Sequence, residues 1–168
     1  MADFLPAFEK MIVNEGGYVL HTVAGDRGGQ TYAGIARNAW PKWEGWAVID
    51  RGGRPDAETV RRFYRENFWQ PVRGDEIENQ DVARTLFDFA VNAGARTAAI
   101  LAQTVLGVTP DGRPGPKTIS AINSIDPEKF ILTYALAKLA RYRDIVTRDR
   151  SQQKFLLGWL NRTLREAA

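Results

Sequence analysis

Two adjacent glycines, Gly16 and Gly17, constrain the fold most, because they stop the first helix and turn the backbone. Asp3 can cap that helix, whose apolar residues recur at helical spacing. After the glycines, residues 18–23 alternate loosely, "AGDRGG" is typical of a turn and "QTYAGI" is typical of a short return strand. The pattern predicts a small β-hairpin directly after the first helix.

The rest of the chain carries helix signals. Asp56 can cap a helix that Pro71 stops, and Gly94 can end a helix over residues 80–92. A further helix is predicted over residues 96–106. Two later helices begin with proline at the first position, the second of them behind a capping aspartate: Pro116, Asp126 and Pro127.

The last helix is predicted to begin with Ser151 as its cap. Its apolar residues at helical spacing are Phe155, Leu156, Trp159, Leu160 and Leu164. We therefore predict a mainly α fold with one small hairpin. A weak composition shift near residues 92–96 places a boundary between residues 1–94 and 95–168, with both parts packed into one globule.

Composition excludes several classes of site. The 168 residues contain no cysteine and one histidine, His21, which argues against disulfides, thiolate metal sites, zinc and a Ser/His triad. We expect no metal and no cofactor. Residues 138–168 carry eight Lys/Arg and three Asp/Glu, which favours a polyanionic partner. These cations alternate with core-like apolar residues, so we expect no nucleic-acid binding.

The N-terminus lacks a basic segment followed by an unbroken apolar run, so we expect no signal peptide. No segment approaches the roughly 20 apolar residues of a membrane helix, so we expect no stable membrane insertion. These features predict a chain made in the cytoplasm, which would need a release step to act outside. We also expect the protein to be a monomer.

Glu15 is the first candidate for chemistry. It lies on the helix face of Phe4, Phe8 and Met11, at the end of an apolar stripe. Apolar surroundings and a helix C-terminus both favour a protonated carboxyl group, which a general acid needs. A solvated, frayed helix end is the alternative for a lone glutamate in this position.

Asp26 and Thr31 are the second and third candidates. The hairpin goes out and returns, so Asp26 can face Glu15 across a groove, as the second carboxylate of a glycosidase must. Thr31, on the return strand, can hold the attacking water with its hydroxyl. Asp26 can instead be a turn residue that bonds its own backbone, and Thr31 an ordinary strand residue. The residues alone leave these alternatives open.

The motifs "EGGYV" and "DRGGQTYAGIAR" resemble glycoside hydrolase family 108, the N-acetylmuramidases, over about residues 5–94. The later stretches "VNAGARTAAILAQTVLGVTPDGRPGPKTISAIN" and "KFLLGWLNR" resemble the predicted peptidoglycan-binding segment that usually follows. The resemblance implies a lysozyme-like fold and hydrolysis of the β-1,4 bond between N-acetylmuramic acid and N-acetylglucosamine. It places Glu15 on the catalytic glutamate, and Asp26 and Thr31 on the family's D-x-G-G-x-T positions.

Three further residues are candidates for substrate binding: Tyr18, Tyr32 and Asn92. Tyr18 can stack on a sugar ring. Many family members read T-N-Y-G-I where this chain reads T-Y-A-G-I, so Tyr32 is displaced by one place, and neighbouring strand residues face opposite ways. Asn92 in "VNAG" resembles an asparagine that lines the sugar groove in phage lysozymes, although it can also end its helix. Trp40, Trp43 and Trp46 can stack on sugars or pack the core.

The resemblance makes peptidoglycan glycan strands the expected partner and a phage or prophage endolysin the expected role. Such an enzyme is stored in the cytoplasm until it reaches the periplasm and cell wall, where it lyses the cell. Two other functions stay open. One is a lytic transglycosylase, which uses a single glutamate; the other is a non-catalytic wall-binding or secretion-associated protein.

Overall fold

A computed structural model describes residues 1–22 and 29–167. Its elements are mostly helical, with one small antiparallel sheet, as predicted. The α-helices are α1 (Phe4–Asn14), α2 (Gly45–Ile49), α3 (Ala57–Tyr64), α4 (Gln80–Ala93), α5 (Ala95–Val105), α6 (Pro116–Ser124), α7 (Pro127–Arg148) and α8 (Gln153–Ala167). The strands are β1 (Leu20–Thr22), β2 (Gln30–Tyr32) and β3 (Ile35–Ala36).

Most helix starts follow the local sequence signals. The side chains of Asp3, Asp56 and Asp126 accept backbone hydrogen bonds at the first turns of α1, α3 and α7. Pro116 and Pro127 occupy first helical positions. These caps satisfy backbone N–H groups that have no partner inside the helix.

Two predicted helices differ from the structure. The helix expected from Asp56 to Pro71 ends its α-helical part at Tyr64 and continues as a π-helical turn, Arg65–Trp69. Ser151 is not the cap of the last helix. Its backbone N–H donates to the side chain of Asp149, which caps the 3-10 turn Arg150–Gln152 that leads into α8.

The chain divides into two compact units, residues 3–67 and residues 1–2 with 68–168. In the first unit, one face of α1 contributes Ala7, Phe8, Met11 and Ile12 to the core. Tyr32 and Ile35 of the sheet and Phe63 and Tyr64 of α3 are buried as well. This core fixes the end of α1, the sheet and α3.

In the second unit, α4 packs against α5 and α7 packs against α8. Helix α7 also contacts both α4 and α5. Its core includes Leu86, Phe89, Ala98, Phe130 and Tyr134. The predicted apolar stripe of α8 is only partly covered, since Phe155 and Leu164 are 46% and 59% exposed. The boundary expected near residue 94 stays a prediction.

Candidate active site around Glu15

Glu15 closes the C-terminus of α1, and its backbone N–H donates to the Met11 carbonyl at 3.0 Å. Gly16 and Gly17 follow with φ of +86° and +73°, and the Gly17 N–H donates to the Ile12 carbonyl at 2.9 Å. This 6→1 bond is the usual glycine-dependent helix ending. The Glu15 side chain is half-buried. A Cβ at either glycine would meet no described atom within 4 Å, so the backbone beside Glu15 is open to approach.

A tight turn between β2 and β3 lies against Glu15. Tyr32 pairs with Ile35, and the two residues between them, Ala33 and Gly34, have φ of +50° and +78°. Two positive values define the type of turn that suits a twisted hairpin. A Cβ on Gly34 would lie 3.1 Å from the Glu15 Cβ and 3.2 Å from its Oε2 atom. The glycine backbone therefore forms a close wall beside the carboxylate.

Tyr64 of α3 fixes the same turn. Its hydroxyl donates to the Ala33 carbonyl at 2.7 Å, and it would lie 2.6 Å from a Cβ on Gly34. The Tyr64 side chain is 1% exposed and its ring packs near Phe8 and Phe63. The buried ring therefore couples the turn, and through it the setting of Glu15, to the core of this unit.

Gly34 and Tyr64 were missed by sequence reasoning. The pair Ala33–Gly34 is a weak hairpin signal compared with Asn-Gly or Asp-Gly, and β3 has only two residues. The contact with Glu15 also joins residues far apart in the chain. The one local signal for this turn was Gly34, which follows the strand-forming residues Thr31 and Tyr32.

Thr31 lies on β2, the central strand of the sheet, paired with His21 on β1 and Ala36 on β3. It is half-buried, whereas its neighbour Tyr32 is 3% exposed and packs against Trp43. Because successive strand residues face opposite ways, Thr31 lies on the outer face with His21. The structure thus places Thr31 on the strand whose turn contacts Glu15, and His21 is exposed on β1.

The three predicted substrate-binding residues differ in exposure. Tyr18 is 38% exposed, directly after the glycines, and partial burial raises the pKa of its hydroxyl while Arg61 opposes that shift. Tyr32 is buried and its hydroxyl donates to the Pro55 carbonyl at 3.3 Å, which is a packing position and offers no open ring face. Asn92 lies in the other unit, where its side-chain amide donates to the Tyr142 hydroxyl at 3.4 Å. Gly94, not Asn92, ends α4.

Asp26 lies outside the described residues. Of the three tryptophans, Trp43 and Trp46 are buried at 9% and 3% exposure, and the Trp46 indole donates to the Trp40 carbonyl at 2.8 Å. Trp40 is half-buried and lines a pocket of about 570 Å³ in the same unit. Trp43 and Trp46 are therefore core residues, although Trp43 also contributes to the wall of the pocket that Trp40 lines.

Within residues 1–22 and 29–167, no group of three or more His, Cys, Asp or Glu side chains is placed to hold a metal ion. No helix in that part of the chain is long and apolar enough to cross a membrane.

Comparison with known proteins agrees with these features. No curated protein matches the chain. The solved structure of Brucella abortus SagA is similar, with 27% sequence identity and a TM-score of 0.76 over 98% of this chain and 91% of SagA. Residues 97–164 match the family described as "Predicted Peptidoglycan domain". Residues 8–94, more than half of the chain, match "Glycosyl hydrolase 108". The protein is thus a glycoside hydrolase that acts on peptidoglycan, and the chain belongs to glycosyl hydrolase family 108.

Proposed function

We propose that the enzyme hydrolyses the β-1,4 bond between N-acetylmuramic acid and N-acetylglucosamine, with Glu15 as general acid. The observation that carries this proposal is the setting of Glu15, a half-buried carboxylate at a helix end, beside the turn at Gly34 and open along Gly16 and Gly17. Catalytic carboxyl groups need a fixed position and partial removal from water. The turn and the Tyr64 hydroxyl supply the first, and the half-buried site supplies the second.

In the proposed reaction, Glu15 transfers its proton to the glycosidic oxygen as the bond from that oxygen to the anomeric carbon breaks. Water supplies the new oxygen on the anomeric carbon. Asp26 is the proposed second carboxylate, which takes a proton from that water or stabilises the oxocarbenium-like transition state. Thr31 is proposed to hold the water with its hydroxyl. Where Asp26 takes the proton, it then releases that proton to solvent and Glu15 takes one up, which restores the starting state. Where Asp26 only stabilises the transition state, the Glu15 carboxylate takes the proton from the water and is restored directly.

Tyr18 is the proposed sugar-stacking residue, since its ring is 38% exposed beside the open glycine backbone. Asn92 is proposed as a polar contact to the glycan strand. Tyr32 is assigned a supporting role from the core, because its ring packs against Trp43. We further propose that residues 1–94 carry out cleavage and residues 95–168 hold the wall polymer.

The biological consequence we propose is lysis of a bacterial cell by a phage or prophage endolysin acting at the cell wall. Its support is the pairing of a glycosyl hydrolase match with a peptidoglycan match in one chain. Clearing of permeabilised Gram-negative cells tests this role, and the absence of clearing between pH 5 and 8 would refute it.

The catalytic assignment is tested by Glu15→Gln, with Glu9→Gln as the matched control. Both changes neutralise a glutamate of α1 or its end, but Glu9 is exposed. We expect Glu15→Gln to abolish release of muropeptides from purified sacculi and Glu9→Gln to leave it unchanged. Asp26→Asn should reduce the rate at least about tenfold. This is a conservative lower bound, because a positioned acid or base usually contributes about a hundredfold or more. Full activity of Glu15→Gln, with native circular dichroism, would refute the assignment.

A further inference from the structure

A second pocket lies in the unit formed by residues 68–168, between the C-terminal part of α5 and the start of α6. Its volume is about 580 Å³. The lining residues are Gln103, Val108, Thr109, Asp111, Arg113 and Gly115–Thr118. It falls entirely inside residues 97–164, the segment that matches the peptidoglycan domain.

The pocket wall is held by a single buried amide. Gln103 is 1% exposed, and its Nε2 atom donates to Asp111 Oδ1 at 2.8 Å and to Thr118 Oγ1 at 3.2 Å. Its Oε1 atom accepts from the Gly112 N–H at 2.8 Å. Both ends of the Gln103 amide are thus used to join α5, the loop and α6. A loop fixed in this way keeps its shape before any ligand binds, which lowers the entropic cost of binding.

Gly112 makes the loop possible. Its φ is +74°, and a Cβ there would lie 2.8 Å from the Arg96 Cγ and 3.1 Å from the Ile100 Cγ1. The Asp111–Gly112 turn can therefore lie directly against α5 only with glycine. This close approach determines where the next residue, Arg113, enters the pocket.

The charges around the pocket favour an anion. Asp111 Oδ1 accepts from the Arg113 backbone N–H at 2.8 Å as well as from Gln103, and these bonds hold the pKa of Asp111 below its usual value. That carboxylate oxygen is already satisfied. Arg113 and Lys117 are exposed, and neither forms an ion pair with any residue that the structure describes. The charge of Arg113 also helps to lower the Asp111 pKa, so Asp111 balances part of it. Two cations, Arg113 and Lys117, against the single carboxylate of Asp111 still leave the lining net positive.

We propose that this pocket binds the carboxylate-bearing stem peptide of peptidoglycan, with Arg113 and Lys117 as the carboxylate-binding residues. Peptidoglycan offers neutral sugars along its strands and free carboxylates on its peptides. Charge complementarity therefore favours the peptide, and Val108 and Pro116 supply apolar wall for its side chains. The inference rests on the proposed function only in taking peptidoglycan as the partner.

The test measures retention of the full chain on purified sacculi, in a Glu15→Gln background so that the polymer stays intact. The variant is Arg113→Gln/Lys117→Gln, and the matched control is Arg148→Gln/Arg150→Gln, which removes two exposed cations elsewhere. We expect the first pair to weaken binding at least about tenfold, the scale of losing a charge-assisted contact, and the control to change it less than about twofold. Equal losses in both would overturn the proposal, because general charge attraction would then explain binding.

A second arm measures binding of two soluble ligands, the free stem peptide and a neutral N-acetylglucosamine oligomer, to the Glu15→Gln parent and to the Arg113→Gln/Lys117→Gln variant in the same background. We expect the peptide to bind the variant at least about tenfold more weakly than the parent, and the oligomer to bind both alike. Equal peptide binding to both proteins, or a loss of oligomer binding in the variant alone, would overturn the proposal. Failure of the hydrolysis proposal would appear separately, as the wrong product or none from the wild-type enzyme, and would not alter these binding results.

Discussion

Gly34→Ala tests whether the turn beside Glu15 positions the catalytic carboxylate. An alanine there meets two separate obstacles. Its φ of +78° lies in the left-handed region, where a non-glycine residue costs about 1–2 kcal/mol. Its Cβ would also lie 2.6 Å from the Tyr64 hydroxyl, which must move and give up its bond to the buried Ala33 carbonyl. An unsatisfied buried group costs about 1–3 kcal/mol.

The expected loss of unfolding free energy is therefore about 2–5 kcal/mol, measured by urea denaturation at constant pH. Gly52→Ala is the matched control, since Gly52 has a φ of +80° in the same unit and a Cβ there would meet no described atom within 4 Å. It should lose only the strain of about 1–2 kcal/mol. The lower unfolded-state entropy of alanine affects both variants alike, so it cancels in their difference.

The catalytic rate should distinguish the contact with Glu15 from the contact with Tyr64. Gly34→Ala also presses on the Glu15 Cβ and Oε2, at 3.1 and 3.2 Å, and a small displacement of a catalytic group costs of the order of tenfold to a hundredfold in rate. Adding Tyr64→Phe removes the hydroxyl and should recover stability relative to the sum of the single changes. The rate should stay low, because the contact with Glu15 persists. Stability and rate in Gly34→Ala equal to those of Gly52→Ala would refute the reasoning.

Two predictions concern a buried charged cluster in the second unit. Burial raises the pKa of Asp88 to about 6, helped by the nearby Glu166, against opposition from Arg84, Lys138 and Arg162. Because the folded pKa exceeds the usual 3.8, the contribution of Asp88 to the unfolding free energy should fall by about 3 kcal/mol as pH rises from about 4 to 6 and then level off. Asp88→Asn should remove this slope in urea titrations; parallel profiles would contradict it. Lys138, 1% exposed, pairs with Glu166 and lies 4.9 Å from the Tyr134 ring centroid. Lys138→Met should cost about 3–5 kcal/mol by stranding Glu166, and a loss below about 1 kcal/mol would contradict this account.

The parts of the fold that sequence could predict are those decided by neighbouring residues. Asp3, Asp56 and Asp126 cap helices because their side chains reach backbone N–H groups two or three residues away. Gly16 and Gly17 end α1 for an equally local reason, and Glu15 therefore falls at the predicted helix end. Ser151 is a case where the local signal was misleading. It was predicted to cap the last helix, but its own backbone N–H donates to the side chain of Asp149, which is the cap of the turn before α8.

The parts that sequence could not predict depend on distant contacts. Nothing near Gly34 reveals that Tyr64 and Glu15 lie against it, since that contact exists only once α1, the sheet and α3 have packed. The buried Lys138 is similar, because its partners are the ring of Tyr134 one turn before it and Glu166 at the far end of α8. The burial of Tyr32 also depends on distant residues. The pairing of β2 with β1 and β3 determines which face of the sheet Tyr32 lies on, and on that face its ring packs against Trp43.

The most direct test of the central claim is mass spectrometry of the fragments that the wild-type enzyme releases from sacculi in oxygen-18 water. Hydrolysis with Glu15 as acid and water as nucleophile predicts reducing N-acetylmuramic acid ends that carry one oxygen-18 atom, and no such product from Glu15→Gln. Fragments that are one water lighter and contain no oxygen-18 would contradict the account and identify a lytic transglycosylase.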